Sequence, residues 1–253
     1  MEQEQPQDFK IWTIPNLLTC LNLASGAIAT VCVFEGSLLI AAALVFVAAL
    51  FDFLDGMSAR ALKSFSPLGK DLDSLADMVS FGLLPGVLSF SLLKLSLYGD
   101  TLPLTYKLVR ADHYLYLGTA LLIPVFSALR LAKFNIDTRQ SESFIGLPTP
   151  ANAIFFASLI IVNAMSLFPT IQLILKPSVL AGFNIVMSLL LISEIPMFSL
   201  KFKSLKWHDN KLRFCFLILA LIMLLILQWY ALPLIILTYI LISFFLYLSG
   251  TGQ

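Results

Sequence analysis

DFLDGMSARALKSFSPLGKDLDSLAD, residues 52–77, decides how the rest of the chain is read. It holds five acidic residues, Asp52, Asp55, Asp71, Asp73 and Asp77, in a chain of 253 residues that is 59% hydrophobic and only 12% charged. Long apolar runs flank it on both sides. A carboxylate near the middle of a bilayer costs roughly 2.5–3.5 kcal/mol on insertion scales. Several in one place therefore need one another, a cation or water as company.

Outward from that stretch, a mean hydropathy of +0.91 and repeated apolar runs predict an all-α, polytopic membrane protein. Eight spans are expected, at about 12–34, 37–60, 72–97, 114–134, 150–168, 177–194, 212–229 and 232–249. Pro15 and Pro233 suit the first turns of the first and last spans. Pro85 falls inside the third and is expected to kink it beside the acidic stretch. With the N-terminus in the cytoplasm, Lys10, Arg60, Lys63, Lys70, Arg130, Lys133, Arg139, Lys201, Lys203, Lys206, Lys211 and Arg213 collect on the cytoplasmic side. Lys94, Lys107, Arg110 and Lys176 face the other way, so positive charge orients the chain with both termini inside. The whole of 1–253 reads as one integral-membrane domain, because the longest polar gap, about 98–113, is too short to fold alone.

Other features are quieter. A net charge of +1 gives no case for nucleic acid. Cys20, Cys32 and Cys215 read as packing thiols. The opening MEQEQPQDFK lacks the basic region of a cleavable signal peptide and reads as an interfacial segment. His113 and His208 have no metal-ligand spacing, and the lysines of 201–211 with Trp207 read as an interfacial anchor.

Residues three or four apart share a helix face. Asp52, Asp55, Gly56 and Arg60 thus line one side of the second span's end, and Gly69, Asp73 and Asp77 follow one face as the third begins. Antiparallel neighbours would bring four carboxylates into one small volume. Each residue also has a plainer use: a lone intramembrane Asp can bond a neighbouring helix, Asp71 suits the solvent, and Asp73 suits a helix N-terminus. Together the four match two divalent cations, and an oxygen-only set favours Mg²⁺ or Mn²⁺ over zinc. Such a pair, ~3.5–4 Å apart, is a standard device for phosphoryl substitution. Gly56, Ala59 and Gly69 are small enough to let a bulky ligand approach, and Arg60 offers a forked donor to phosphate oxygens.

The pattern Asp52-x2-Asp55-Gly56-x2-Ala59-Arg60-x8-Gly69-x3-Asp73-x3-Asp77 resembles the full signature of the CDP-alcohol phosphatidyltransferase family. Members move a phosphatidyl or related group from a CDP-linked donor to an alcohol and release CMP. The resemblance implies that Asp52, Asp55, Asp73 and Asp77 hold two metals and that Asp77 takes the acceptor's proton. It also implies that Gly56, Arg60 and Ser66 contact the CDP part of the donor. Asn16, Thr19 and Asn22, at three-residue spacing on the first span, suit either the nucleotide or interhelical hydrogen bonds.

Residues 72–82 (LDSLADMVSFG), 129–135 (LRLAKFN) and 146–153 (GLPTPANA) resemble the phosphatidylserine synthase branch, as does Pro15-Asn16-x2-Thr19-x2-Asn22. Asn152 departs from that branch's run of alanines. The resemblance implies CDP-diacylglycerol and L-serine as substrates, a homodimer, and a bacterial inner membrane. Serine's carboxylate wants a cation, which Arg130, Lys133 and Arg139 would offer; the same residues also satisfy the positive-inside rule. Glycerol-3-phosphate or an inositol phosphate are the competing acceptors within the family. A cation-coupled transporter is the competing class, opposed by the lack of an inverted acidic counterpart in the second half.

Overall fold

The computed structural model describes residues 11–99, 110–137, 144–165, 174–198 and 207–250. Arg139, and Lys10, Lys107, Lys201, Lys203 and Lys206 of the charge asymmetry, lie outside these residues.

Helix α1 (Ile14–Phe34) opens on Thr13, whose side chain accepts from the Asn16 backbone N–H, with Pro15 in the first turn. Helix α2 (Leu38–Ala61) folds straight back against it. Ala29, Ala41, Ala42, Val45 and Ala48 are all fully buried. Lipid tails are as apolar as the helices, so close backbone packing of small residues takes the place of a hydrophobic drive.

Ser66 then caps α3 (Pro67–Asp77) by accepting from the Gly69 N–H at 3.0 Å. A π-helical turn (Met78–Leu83) follows without a break and runs into α4 (Leu84–Tyr98). The third span therefore begins at Pro67, five residues before the expected 72, because the Ser66 cap and Pro67 carry the helix through the polar turns ahead of the apolar run. The expected irregularity at Pro85 is taken up by the π turn just before it. Proline has no N–H to give the preceding turn, and a wider turn is one way to re-register the ladder.

That turn is gripped from two sides. A Cβ on Gly26 of α1 would lie 2.3 Å from Ser80 Oγ and 2.8 Å from Ser80 Cα. Gly26 is what lets α1 touch the backbone of the π turn. On the other side lies α6 (Leu122–Ile136), which follows α5 (Ala111–Thr119).

Helices α7 (Thr149–Met165), α8 (Pro177–Ile192), α9 (Lys211–Leu227) and α10 (Ala231–Leu248) complete the order, with a short 3₁₀ turn, Gln228–Tyr230, between the last two. Among the described residues, each of the eight expected stretches overlaps a helix or a run of helices. Five helices are long and apolar enough to cross a membrane by length and composition, counting Lys211–Leu248 as one; Thr149–Met165 and Pro177–Ile192 are shorter. Leu221, Ile222, Leu225 and Ile226 of α9 are exposed, as a lipid-facing helix requires.

The described residues also contain one two-residue ladder, β1 (Phe144–Ile145) antiparallel to β2 (Pro196–Met197). Gly146 makes it fit. Its φ is +78°, and a Cβ there would lie 2.6 Å from the Leu191 carbonyl oxygen. The backbone N–H groups of Gly146 and Leu147 donate to Ile195 and Leu190 at 2.9 Å each. This clasp sets where α7 starts.

Candidate active site

Asp52 and Asp55 sit one turn apart near the end of α2, and Asp73 and Asp77 one turn apart on α3. Asp52, Asp55 and Asp73 each present a carboxylate oxygen, and these oxygens all lie within 4.8 Å of one another. Asp77 stands outside that trio, one turn deeper and 9% exposed, close enough to Asp52 and Asp73 to interact electrostatically with both. Asp71 is exposed, as its place at the interface suggests.

Helix α1 supports the carboxylates from behind. The Thr19 hydroxyl donates to Asp55 Oδ2 at 2.7 Å, and Asn22 Nδ2 donates to Asp77 Oδ1 at 3.4 Å. The Asn22 carbonyl in turn accepts from the Ser80 hydroxyl at 3.0 Å. Thr19 and Asn22, read from spacing as either nucleotide contacts or interhelical bonds, thus hold the acidic residues. Asn16 is buried; its Nδ2 donates to the Ile11 carbonyl, and its Oδ1 lies 3.0 Å from where a Cβ on Gly69 would stand.

Gly56 and Ala59 are half-buried beside Asp55, while Arg60 and Ser66 are exposed where α2 gives way to α3. A Cβ on Gly56 would meet only Arg60 Nη1, at 3.7 Å, so the space beside it is open.

The donor set fits a hard divalent cation. It is all oxygen and all acidic, and among the described residues no lysine or arginine forms an ion pair with any of the four aspartates. Asp73 Oδ1 is buried without a hydrogen-bond partner. Packing like charges together with an oxygen orphaned is costly unless a cation offsets them.

Across the site stands Arg130 of α6. It is 6% exposed, donates from Nη1 to Thr149 Oγ1 of α7 at 3.3 Å, and lies 5.7 Å from the Phe134 ring centroid. It interacts electrostatically with Asp52, Asp77 and Tyr239. Lys133, one turn on, is ion-paired with Glu194 beside β2. Lys70 Nζ donates to the Asn135 carbonyl at 2.8 Å and Asn135 Nδ2 to Ser74 Oγ at 2.9 Å, which pins α3 to the end of α6.

The family model for CDP-alcohol phosphatidyltransferase matches residues 12–191, a span that contains the four aspartates, Thr19, Asn22, Arg130 and Thr149. The chain belongs to that family. Among curated proteins it is 35% identical over 137 residues to the CDP-diacylglycerol–serine O-phosphatidyltransferase of Bacillus subtilis, covering 54% of this chain and 69% of that one. The enzyme of the same name from Helicobacter pylori strain J99 is 29% identical over 203 residues, 78% of this chain and 76% of its own. The archaetidylserine synthase of Methanothermobacter thermautotrophicus is 34% identical over 148 residues, 57% and 56% of the two chains.

Thr149 and Glu194 carried no role in the sequence, and neither did Tyr239. Thr149 lies within a family-like stretch, which was a usable signal. Glu194 and Tyr239 reach the site only through tertiary packing.

Proposed function

We propose that this protein transfers the phosphatidyl group of CDP-diacylglycerol to the hydroxyl of L-serine, releasing CMP and forming phosphatidylserine. The carrying observation is the convergence of Asp52, Asp55 and Asp73, with Asp77 one turn deeper, in a chain whose relatives bear the serine enzyme's name. Two divalent cations, Mg²⁺ or Mn²⁺, held by the four aspartates would supply charge neutralisation for the pyrophosphate and the departing CMP.

The residues themselves supply the rest. Asp77 takes the proton from the serine hydroxyl as its oxygen bonds to the phosphorus that carries the diacylglycerol. The bond from that phosphorus to the oxygen shared with CMP breaks, and its electron pair leaves on CMP. Asn22 holds Asp77 by one carboxylate oxygen and leaves the other for the proton. Gly56, Ala59 and Gly69 give the nucleotide room, Arg60 and Ser66 meet it at the exposed edge, and Asn16 and Thr19 close the site from α1. Arg130 receives the serine carboxylate, with Lys133, which also pairs with Glu194, adding positive field beside it. Arg139 belongs to the same proposed acceptor set and lies outside the described residues.

In this proposal residues 1–253 form one domain of a bacterial inner membrane, as a homodimer, with the site and both termini facing the cytoplasm. The test is an acceptor panel on the purified protein in detergent. CMP release with L-serine, but not with glycerol-3-phosphate or inositol phosphate, and its loss on chelation, is expected. CMP release with only a phosphorylated acceptor overturns the serine assignment. Because no gradient exists in detergent, any acceptor-dependent release also excludes a transporter.

A further inference from the structure

Among the described residues, Asn152 is the one side chain with two buried polar atoms that both lack a partner. It lies in the first turn of α7, is 0% exposed, and neither its amide oxygen nor its amide nitrogen has a hydrogen-bond partner. Its neighbours along the helix are alanines, Ala151 and Ala153, so the position accommodates an apolar residue in kind. A buried amide with nothing to bond is costly and calls for a cause.

A bracing role does not supply one. Asn184 of α8 is equally buried and shows what a bracing amide does: it accepts from Ser89 at 2.6 Å and donates to Thr119 at 2.9 Å. Asn152 makes neither kind of bond. It stands instead three residues beyond Thr149, on the same face of α7, and Thr149 is the residue that accepts from Arg130. Arg130 has its own unmet group there, since its Nε is buried without a partner. Arg130, which bonds Thr149, also interacts electrostatically with Asp52 and Asp77, so this corner adjoins the carboxylates.

Together the corner holds a cationic N–H donor from Arg130, an amide NH₂ donor, and one amide oxygen that accepts. A carboxylate takes the donors and an ammonium takes the acceptor. We infer that Asn152 and Arg130 form the recognition site for the α-amino-acid head of the acceptor, with Asn152 adding in this chain a polar contact to that head where the serine branch carries alanine. This rests on the serine assignment proposed above. An alcohol without the carboxylate leaves the donors unmet, and one without the ammonium leaves the oxygen unmet. A site built to pair polar groups rejects such ligands strongly.

The wild-type protein gives the first test. L-Alanine, which has the head group and no hydroxyl, should inhibit CMP release competitively against L-serine, while ethylamine and propionate at equal concentration should not. Inhibition by either fragment as strong as that by L-alanine overturns the inference. In the second test, Asn152→Ala should raise KM for L-serine about tenfold or more, with KM for CDP-diacylglycerol moving less than about twofold. Asn152→Asp keeps the shape and the acceptor but sets a carboxylate against the substrate's; it should raise the ratio of ethanolamine to serine turnover. An unchanged KM for serine in both variants, or equal changes in both KM values, overturns the inference. Failure of the serine assignment itself is seen separately, as a wild-type protein that releases no CMP with serine.

Discussion

The hydroxyl of Thr19 reaches Asp55 Oδ2 at 2.7 Å, although 36 positions separate the two residues. That carboxylate is only 6% exposed, and one of its oxygens lies within 4.8 Å of oxygens of Asp52 and Asp73. Groups that orient metal ligands from behind typically matter by about 10–100-fold in affinity or activity. Thr19→Val should therefore raise the Mn²⁺ concentration for half-maximal CMP release by about tenfold, and Thr19→Ser should restore it. A titration with normal metal dependence in Thr19→Val would show that the bond only braces two helices.

Metal removal makes a second prediction. Chelation should abolish CMP release, and Mg²⁺ or Mn²⁺ should restore it, since the ligands are all carboxylate oxygens. Asp73→Asn should bind Mn²⁺ far more weakly, as read by calorimetry on the purified protein. Full activity after exhaustive chelation would remove the cations from the proposal.

Asp77 is separable from the trio. Asp77→Asn should lower the rate of CMP release by about 10²–10⁴-fold, the usual range for losing a positioned base. The donor's KM should change little by comparison. A wild-type rate in Asp77→Asn with serine present would end the base assignment.

Packing at the π turn gives a stability test. Gly26→Ala should destabilise the protein by about 1–3 kcal/mol, the usual range for overpacking, measured as a drop in melting temperature in detergent. Adding Ser80→Ala should not rescue it. The Ser80 Cα, which no side-chain change removes, would still lie 2.8 Å from the new Cβ.

The helices and the acidic faces were legible because both are local. Apolar runs mark spans, and three- and four-residue spacing put Asp52 with Asp55 and Asp73 with Asp77. Ser66-Pro67 was also a readable helix start, although Lys70 and Asp71 lowered the hydropathy enough to move the expected boundary to 72. The far side of the site was not legible. Nothing near Lys133 in sequence neutralises it; its partner, Glu194, is 61 positions away. Thr149 meets Arg130 only because the β1–β2 clasp fixes where α7 begins. Likewise, a proline at 85 announces an irregular helix without saying that the turn ahead of it will absorb the strain.

The π turn also makes the site depend on residue count rather than on residue type. A π turn holds one residue more than an α turn, and one residue advances a helix by about 100°. Met78–Leu83 therefore offsets the angular phase of α3 from that of α4, so that Asp73 and Asp77 face α2 while Leu88 and Leu92 keep their own buried side. Removing one residue from 78–83 would leave every ligand present in the sequence and aim half of them elsewhere. For this enzyme the arithmetic of the chain between its carboxylates and its bilayer-crossing half is as much a part of the chemistry as the carboxylates are.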